Sequence, residues 1–138
     1  MTKNILYLLC IILLSNCVQT NPENYITYIE GYWEIEKVIT HEGLEKQYNF
    51  NQNIDFFEIH ELKGFRKKVQ PQFDGGFITT KDQENFTLKI ENDSLRIYYK
   101  TPLMEWKETI ISAKENEMII INEVGNLYFY KPYKKMDL

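Results

Sequence analysis

The stretch IEGYWEIEKVI, residues 29–39, decides the fold of this chain. Its apolar and polar residues alternate with a period of two, which predicts a long β-strand. The alternation divides it into two sides: Gly31, Trp33, Ile35 and Ile39 on one, and Tyr32, Glu34, Glu36 and Val38 on the other. A glycine two positions before a tryptophan lets a backbone pass close by while the indole fills the space beside it. Such an arrangement can plug the closed end of a small barrel.

Strand patterns recur downstream at intervals of about ten residues. The clearest is a hairpin in which Phe86, Leu88 and Ile90 alternate with polar residues, and Leu95, Ile97 and Tyr99 do so again after a turn at Asn92-Asp93. Further turns are predicted at Lys63-Gly64, Asp74-Gly75-Gly76 and Gly125-Asn126. No long helical period interrupts the series.

We therefore predict an all-β fold, a small up-and-down antiparallel β-barrel of about eight strands that occupies residues 25–138. Asn21 followed by Pro22 and Glu23 is an acceptable helix start, so one helical turn over residues 22–28 is expected before the first strand.

The first residues have the pattern of an export signal. Lys3 precedes an apolar run from Ile5 to Leu14, and Cys17 follows it, so residues 1–16 are expected to be a signal peptide. The run is too short for a membrane span, which needs about 20 apolar residues. Because Cys10 would leave with the signal, Cys17 would be the only cysteine of the mature chain, and no internal disulfide could form.

The sequence Leu14-Ser15-Asn16-Cys17 resembles the lipobox of bacterial lipoproteins. The resemblance implies that Cys17 becomes a lipidated N-terminus, that residues 17–24 form a tether, and that the membrane is a partner through this lipid. Val18, where retained lipoproteins carry an acidic residue, favours the outer membrane facing the periplasm. The alternative is an ordinary secretory signal with an incidental cysteine.

The formal net charge of the 138-residue chain is −4, which makes nucleic acid an unexpected partner because phosphate binding needs a basic face. The basic clusters Arg66-Lys67-Lys68 and Lys131, Lys134, Lys135 are too small to reverse this charge. We interpret them as solvated strand edges.

The mature part also resembles a known family. Gly31-Tyr32-Trp33 on a first strand, after a lipobox and before hairpins that end in Leu127-Tyr128-Phe129-Tyr130-Lys131, is similar to the lipocalin-like domain of small Gram-negative lipoproteins. The resemblance covers about Ile29 to Tyr133 and implies a lipocalin-like barrel in which Trp33 is structural.

The sequence contains no recognisable catalytic constellation. Ser94 and Ser112 are the only serines after the signal, and neither lies in a nucleophile-elbow pattern. The spacing of His41 and His60 from nearby acids matches no common metal-ligand set. We expect no enzyme activity, no cofactor and no metal.

Two functions remain open. In the first, the barrel binds a small hydrophobic ligand in a cavity lined by inward-facing residues, namely Trp33, Ile35, Leu88, Ile97 and Trp106. In the second, the barrel is filled, and the loops at residues 41–53 and 81–85 engage another envelope protein or inhibit an enzyme. The 14% aromatic content fits an aromatic pocket wall and equally a well-packed barrel core.

Overall fold

The computed structural model describes residues 20–135 and begins with a short helical segment. The Asn21 side chain caps it by accepting a hydrogen bond of 3.1 Å from the Glu23 amide. A 3₁₀ helix follows at Pro22–Tyr25 and a single α-helical turn, α1, at Ile26–Ile29. The expected helical turn before the first strand is therefore present.

Ten strands follow. They are β1 at Gly31–Ile39, β2 at Glu45–Gln47, β3 at Ile54–His60, β4 at Lys63–Pro71, β5 at Phe77–Thr79, β6 at Glu84–Glu91, β7 at Ser94–Lys100, β8 at Glu105–Lys114, β9 at Glu117–Asn122 and β10 at Leu127–Pro132.

The strands form one antiparallel sheet that closes on itself. Neighbours run in the order β10-β9-β8-β7-β6-β4-β3-β1, and β1 pairs again with β10 from Trp33 opposite Pro132 to Ile39 opposite Leu127. The short strands β2 and β5 pair with the ends of β1 and β4. The predicted fold class, an antiparallel barrel of eight strands, is confirmed.

The first strand differs from the prediction in two details. Gly31 adopts a φ of +131°, and a Cβ added there would meet nothing within 4 Å, so the backbone angle rather than a close approach requires glycine. A bulge between Ile35 and Lys37 shifts the register, so that Val38 rather than Ile39 lies on the Trp33 side, opposite Tyr128.

The hairpin turns show where local sequence signals are reliable. Asn92 and Asp93 both have positive φ, 50° and 58°, and form the predicted two-residue turn between β6 and β7. The predicted turn at Lys63-Gly64 is wrong, because Glu61 and Leu62 turn the chain. Gly64 lies inside β4, where a Cβ would come within 2.8 Å of the Phe86 ring.

One end of the barrel is closed by α1. Ile29 is completely buried, and its carbonyl oxygen accepts a hydrogen bond of 2.8 Å from the Trp33 indole nitrogen. The core continues from this closed end along the barrel as a single cluster of buried side chains: Ile29, Trp33, Phe57, Phe86, Leu88, Leu95, Ile97, Tyr99, Ile110, Ala113, Met118, Ile120 and Tyr130. The loops β1–β2, β2–β3, β4–β5, β5–β6, β7–β8 and β9–β10 surround the opposite, open end.

A second aromatic cluster covers part of the outer wall. Tyr32 stacks on Phe77 with ring centroids 4.5 Å apart and also contacts Phe56 at 4.6 Å. This aromatic cluster fixes β5 against the outside of β1 and β3.

No helix between residues 20 and 135 is long and apolar enough to cross a membrane.

Replacement of Trp33 by alanine tests the closed end. Trp33 is 4% exposed, so removal of the indole leaves a cavity and an unpaired Ile29 carbonyl. We expect Trp33→Ala to lower the free energy of unfolding by about 3 to 5 kcal/mol in urea titrations. Ile111→Ala, on the outer face of β8 and 46% exposed, is the control. Similar losses of unfolding free energy in the two variants would contradict the role of Trp33 in closing this end of the barrel.

Candidate functional site

Charged side chains occupy inward positions near the open end of the barrel. On β3, Asp55 alternates with the core residue Phe57, and on β8, Glu108 alternates with Ile110. Arg66 lies opposite Phe57 in the β3–β4 register and therefore shares its face. These groups form a charged layer on top of the apolar core.

Arg66 is the centre of this layer. Its Nη2 contacts Glu84 Oε2 at 2.8 Å, and its Nη1 contacts Glu108 Oε2 at 3.4 Å. The guanidinium lies over the Tyr99 ring, 4.6 Å from the centroid. Since only 11% of the Arg66 side chain is exposed, the ion pairs form in a poorly solvated environment. Arg66 thus joins β4 to β6 and β8 through charge.

Asp55 is the second member of the charged layer. Its Oδ2 accepts a hydrogen bond of 3.1 Å from the Tyr130 hydroxyl, and its Oδ1 forms an ion pair with Lys68 Nζ. Asp55 is 2% exposed, whereas the Lys68 side chain is 57% exposed. The buried Asp55 carboxylate is therefore neutralised by a lysine whose side chain is largely in contact with solvent.

Burial and neighbouring charges set the protonation states. Burial raises the pKa of Glu108 above its ordinary value, although Arg66 opposes the shift. Burial acts to lower the pKa of Arg66, but Tyr99, Glu108 and Asp55 together raise it well above its ordinary value. Burial also raises the pKa values of Tyr99 and Tyr130 strongly, which keeps both hydroxyls protonated.

The charged layer is incompletely satisfied. Arg66 Nε is buried and has no hydrogen-bond partner among residues 20–135, and Asp55 Oδ1 has only its ion pair. Among the same residues, the buried Tyr99 hydroxyl has only the Glu108 carboxylate close enough to interact with it. Buried polar atoms usually find a partner, because an unpaired one costs about 1 to 3 kcal/mol. Unpaired atoms concentrated in one layer mark this region as a candidate site.

A cleft of about 590 Å³ opens above Arg66. Its floor contains Arg66, Lys68 and Glu84, and its rim comes from the β5–β6 and β7–β8 loops: Thr80, Asp82, Gln83, Thr101, Pro102 and Leu103. We call this the mouth cleft. A larger depression, about 760 Å³, lies on the outer wall around Phe65, Thr87 and Tyr98, where it is open to solvent; it shares Thr101 and Pro102 with the mouth cleft.

The residues predicted from sequence to line a ligand cavity lie mostly in the core. Trp33, Leu88 and Ile97 are buried, and Ile35 and Trp106 pack against them. The Trp106 ring stacks on Tyr99 with centroids 4.9 Å apart, directly beside the charged layer, and borders a cleft of about 390 Å³. None of these five predicted residues lines the mouth cleft. The predicted lipidation site, Cys17, lies outside the described residues.

The interpretation of Arg66-Lys67-Lys68 as a solvated strand edge is wrong for Arg66. The three residues lie on β4, where their side chains alternate, and Arg66 points into the barrel between two carboxylates. A signal was available in the sequence. Glu108 occupies an inward position between Trp106 and Ile110, and an acid there requires a buried cationic partner.

The described residues 20–135 contain no group of three or more His, Cys, Asp or Glu side chains arranged to hold a metal ion. His41 is exposed and lies 3.8 Å from Glu42, its neighbour in the loop after β1. The site is therefore characterised by ion pairs and hydrogen bonds.

The pKa shift of Glu108 predicts a pH dependence. A carboxyl group with a raised pKa in the folded state adds stability below its ordinary pKa, and this contribution is lost as pH rises through the raised value. We therefore expect the difference in free energy of unfolding between wild type and Glu108→Gln to fall over this pH range. Urea titrations at a series of pH values measure it, with Glu105→Gln, an exposed acid on the same strand, as control. Parallel curves for wild type and Glu108→Gln would contradict the assignment.

Comparisons with known proteins bear on the fold and the family. The chain is similar to a lipocalin-like protein from Bacteroides uniformis, with 8% identity over 76% of this chain and 98% of that one, and a TM-score of 0.48. A second solved structure, an uncharacterized protein from Bacteroides eggerthii, has 10% identity over 75% and 98% of the two chains and the same TM-score, 0.48. No curated protein matches the chain significantly. The family model for the lipocalin-like domain matches residues 29–120, more than half of the chain, and the protein therefore belongs to the lipocalin-like domain family.

Proposed function

We propose that the protein is a lipoprotein of the cell envelope whose barrel binds a small amphipathic ligand in the mouth cleft. The observation that carries the proposal is the cleft of about 590 Å³ above a buried, incompletely satisfied charged layer. Members of this family usually bind ligands rather than catalyse reactions, which agrees with a binding role. The proposed ligand places a polar group on the floor formed by Arg66, Lys68 and Glu84, and an apolar group on Leu103.

The filled core limits how deep the ligand can go. An eight-stranded barrel has an interior just wide enough for side chains to fill or to hold one small ligand. In this barrel Leu88 and Ile97 are at most 1% exposed, and Phe57 is completely buried. A purely hydrophobic ligand inside the barrel would have to displace these side chains. The mouth cleft, in contrast, is open and partly polar.

The charges around the mouth cleft restrict the ligand's polar group. Two cations, Arg66 and Lys68, face four acids: Asp55, Asp82, Glu84 and Glu108. Even with Glu108 protonated the acids outnumber the cations, and the cations are already paired. A simple anion is therefore disfavoured. The polar group of the ligand is neutral, zwitterionic or cationic, and its apolar part lies on Pro102 and Leu103, of which Leu103 is 95% exposed.

The proposed anchor is a lipid on Cys17, with the membrane as partner and the outer membrane facing the periplasm as location. Its support is the sequence resemblance to a lipobox and the position of the helical segment. Pro22 begins the helical segment whose last turn, α1, closes the barrel, so the tether leaves from that end. The mouth cleft then faces away from the anchoring membrane.

A second candidate function is a filled barrel that binds another envelope protein through its loops. The rim supports it, because large apolar side chains are exposed on three different loops. Leu44 is 65% exposed, Met104 58% and Val124 63%. Exposed apolar side chains clustered on one surface are typical of interaction sites.

Native mass spectrometry of the mature protein, purified from its own envelope, tests ligand binding. We expect an adduct that disappears on denaturation. Leu103→Ser should lower its occupancy by about tenfold, because burial of a leucine side chain contributes about 1.5 to 3 kcal/mol. Val124→Ser, on another rim loop outside the mouth cleft, is the control. A ligand-free mass with a co-purifying protein would favour the second function.

Replacement of Cys17 by serine tests the anchor. A serine cannot accept the thioether-linked lipid, so the protein should move from the membrane fraction to the soluble fraction of the envelope. Immunoblots of fractions washed in high salt measure this change. Cys10→Ser, inside the apolar run, is the matched control and should leave the protein on the membrane. Retention of Cys17→Ser after the wash would exclude lipid anchoring at this residue.

A further inference from the structure

A second cleft is lined by other parts of the chain than the mouth cleft. Its volume is about 370 Å³, and four segments line it: β1 at Glu34, the β2–β3 loop, the end of β4 with the following turn, and the residues after β10. Its lining residues are Glu34, Asn49, Phe50, Asn51, Gln52, Gln70, Pro71, Gln72, Phe73, Tyr133, Lys134 and Lys135. None of these residues lines the mouth cleft. We call this the amide cleft.

Two phenylalanine side chains stand exposed in the amide cleft. Phe50 is 78% exposed and Phe73 is 79% exposed, although phenylalanine is normally buried. They come from different loops, so one loop with an unusual sequence does not account for both. An exposed aromatic ring offers a flat apolar face to a ligand.

The polar part of the lining consists largely of side-chain amides. Asn51 is held in place because its Nδ2 donates a hydrogen bond of 2.8 Å to the Ile35 carbonyl, and Gln72 donates to the Pro71 carbonyl at 3.1 Å. The side-chain amides of Asn49, Gln52 and Gln70 are not engaged by any other residue between 20 and 135. An amide both donates and accepts hydrogen bonds, as a hydroxyl group does.

The charged groups of the amide cleft do not dominate it. Glu34 is paired with Lys131 at 3.5 Å, so its carboxylate is partly neutralised. Lys134 and Lys135 are exposed to solvent. Most of the remaining lining residues offer aromatic faces and neutral hydrogen-bonding groups.

We propose that the amide cleft binds a saccharide. A pyranose ring has a face of C–H groups, which pack on an aromatic ring, and a rim of hydroxyls, which match side-chain amides that donate and accept. A peptide strand would instead pair its backbone with the edge of a β-strand. Most residues of this cleft belong to loops and turns, which present no such edge.

The test is a saccharide titration of the full-length chain in a detergent without a sugar head group. The probes are chitotriose, cellotriose and trigalacturonic acid, which share the pyranose ring and differ in substituents and charge. Saturation-transfer NMR should detect transfer to the ring C–H protons of at least one probe at millimolar concentration. Transfer to none of the three would overturn the proposal.

Variants place the binding in the amide cleft. We expect Phe50→Ala and Phe73→Ala each to weaken binding by about tenfold, and both side chains are exposed enough for the variants to fold. Leu103→Ala, at the mouth cleft, should leave saccharide binding unchanged. Binding that both phenylalanine variants retain at full affinity would overturn the assignment, whatever ligand the mouth cleft binds.

Discussion

The pairing of β1 with β10 is the constraint on which the rest of this structure depends. Closure gives each of the eight barrel strands two neighbours over at least part of its length, whereas the short strands β2 and β5 have one each. The interior that results is just wide enough for side chains to fill it. Once Trp33 and Ile29 close one end, each further inward position either packs into the core or faces the open end. Both binding sites that we propose are accordingly clefts lined by surface loops and strand ends.

The charged layer needs an explanation beyond stability. A buried ion pair gains little over apolar residues of the same volume, because desolvation of the two charges offsets their attraction. Arg66 Nε also remains unpaired within the described part of the chain. A layer that only held β4, β6 and β8 together would be replaceable by leucine and phenylalanine. Its position below the mouth cleft would instead give the proposed ligand a rigid polar floor, since Arg66 is held by two carboxylates and an aromatic ring.

The fold could be predicted from the sequence because it depends on local patterns. Alternation between Phe86 and Tyr99, with Asn92-Asp93 at the turn, specifies a hairpin whatever surrounds it. The errors occurred where one residue changes the register or the face. The bulge after Ile35 exchanges Val38 for Ile39 on the inner side, and no sequence signal marks it. A turn assigned two residues too late placed Gly64 in a loop, although it is a strand residue beneath Phe86.

The sites were harder to predict than the strands. In β4 the residues around Arg66 provide no apolar alternation that would indicate which side faces inward, so three consecutive basic residues look like a solvated edge. Only the registers of the neighbouring strands bring Arg66 to Glu84 and place it within reach of Glu108, 42 residues away. The predicted ligand residues were chosen because they face inward. The structure places Trp33, Leu88 and Ile97 in the core, whereas the residues that we propose for the mouth cleft interrupt the apolar pattern.

The proposed anchor determines from which side a ligand can reach the mouth cleft. Pro22 follows Cys17 by five residue steps, and an extended chain of that length spans about 18 Å at most. A lipid on Cys17 would therefore hold the closed end of the barrel near the membrane surface, with the open end facing away. An amphipathic ligand at the mouth cleft then has to arrive from the aqueous side, as a soluble molecule or from another protein, rather than directly from the anchoring bilayer. The exposed apolar residues of the rim face the same side, so a partner protein that docks there would also cover the entrance to the mouth cleft.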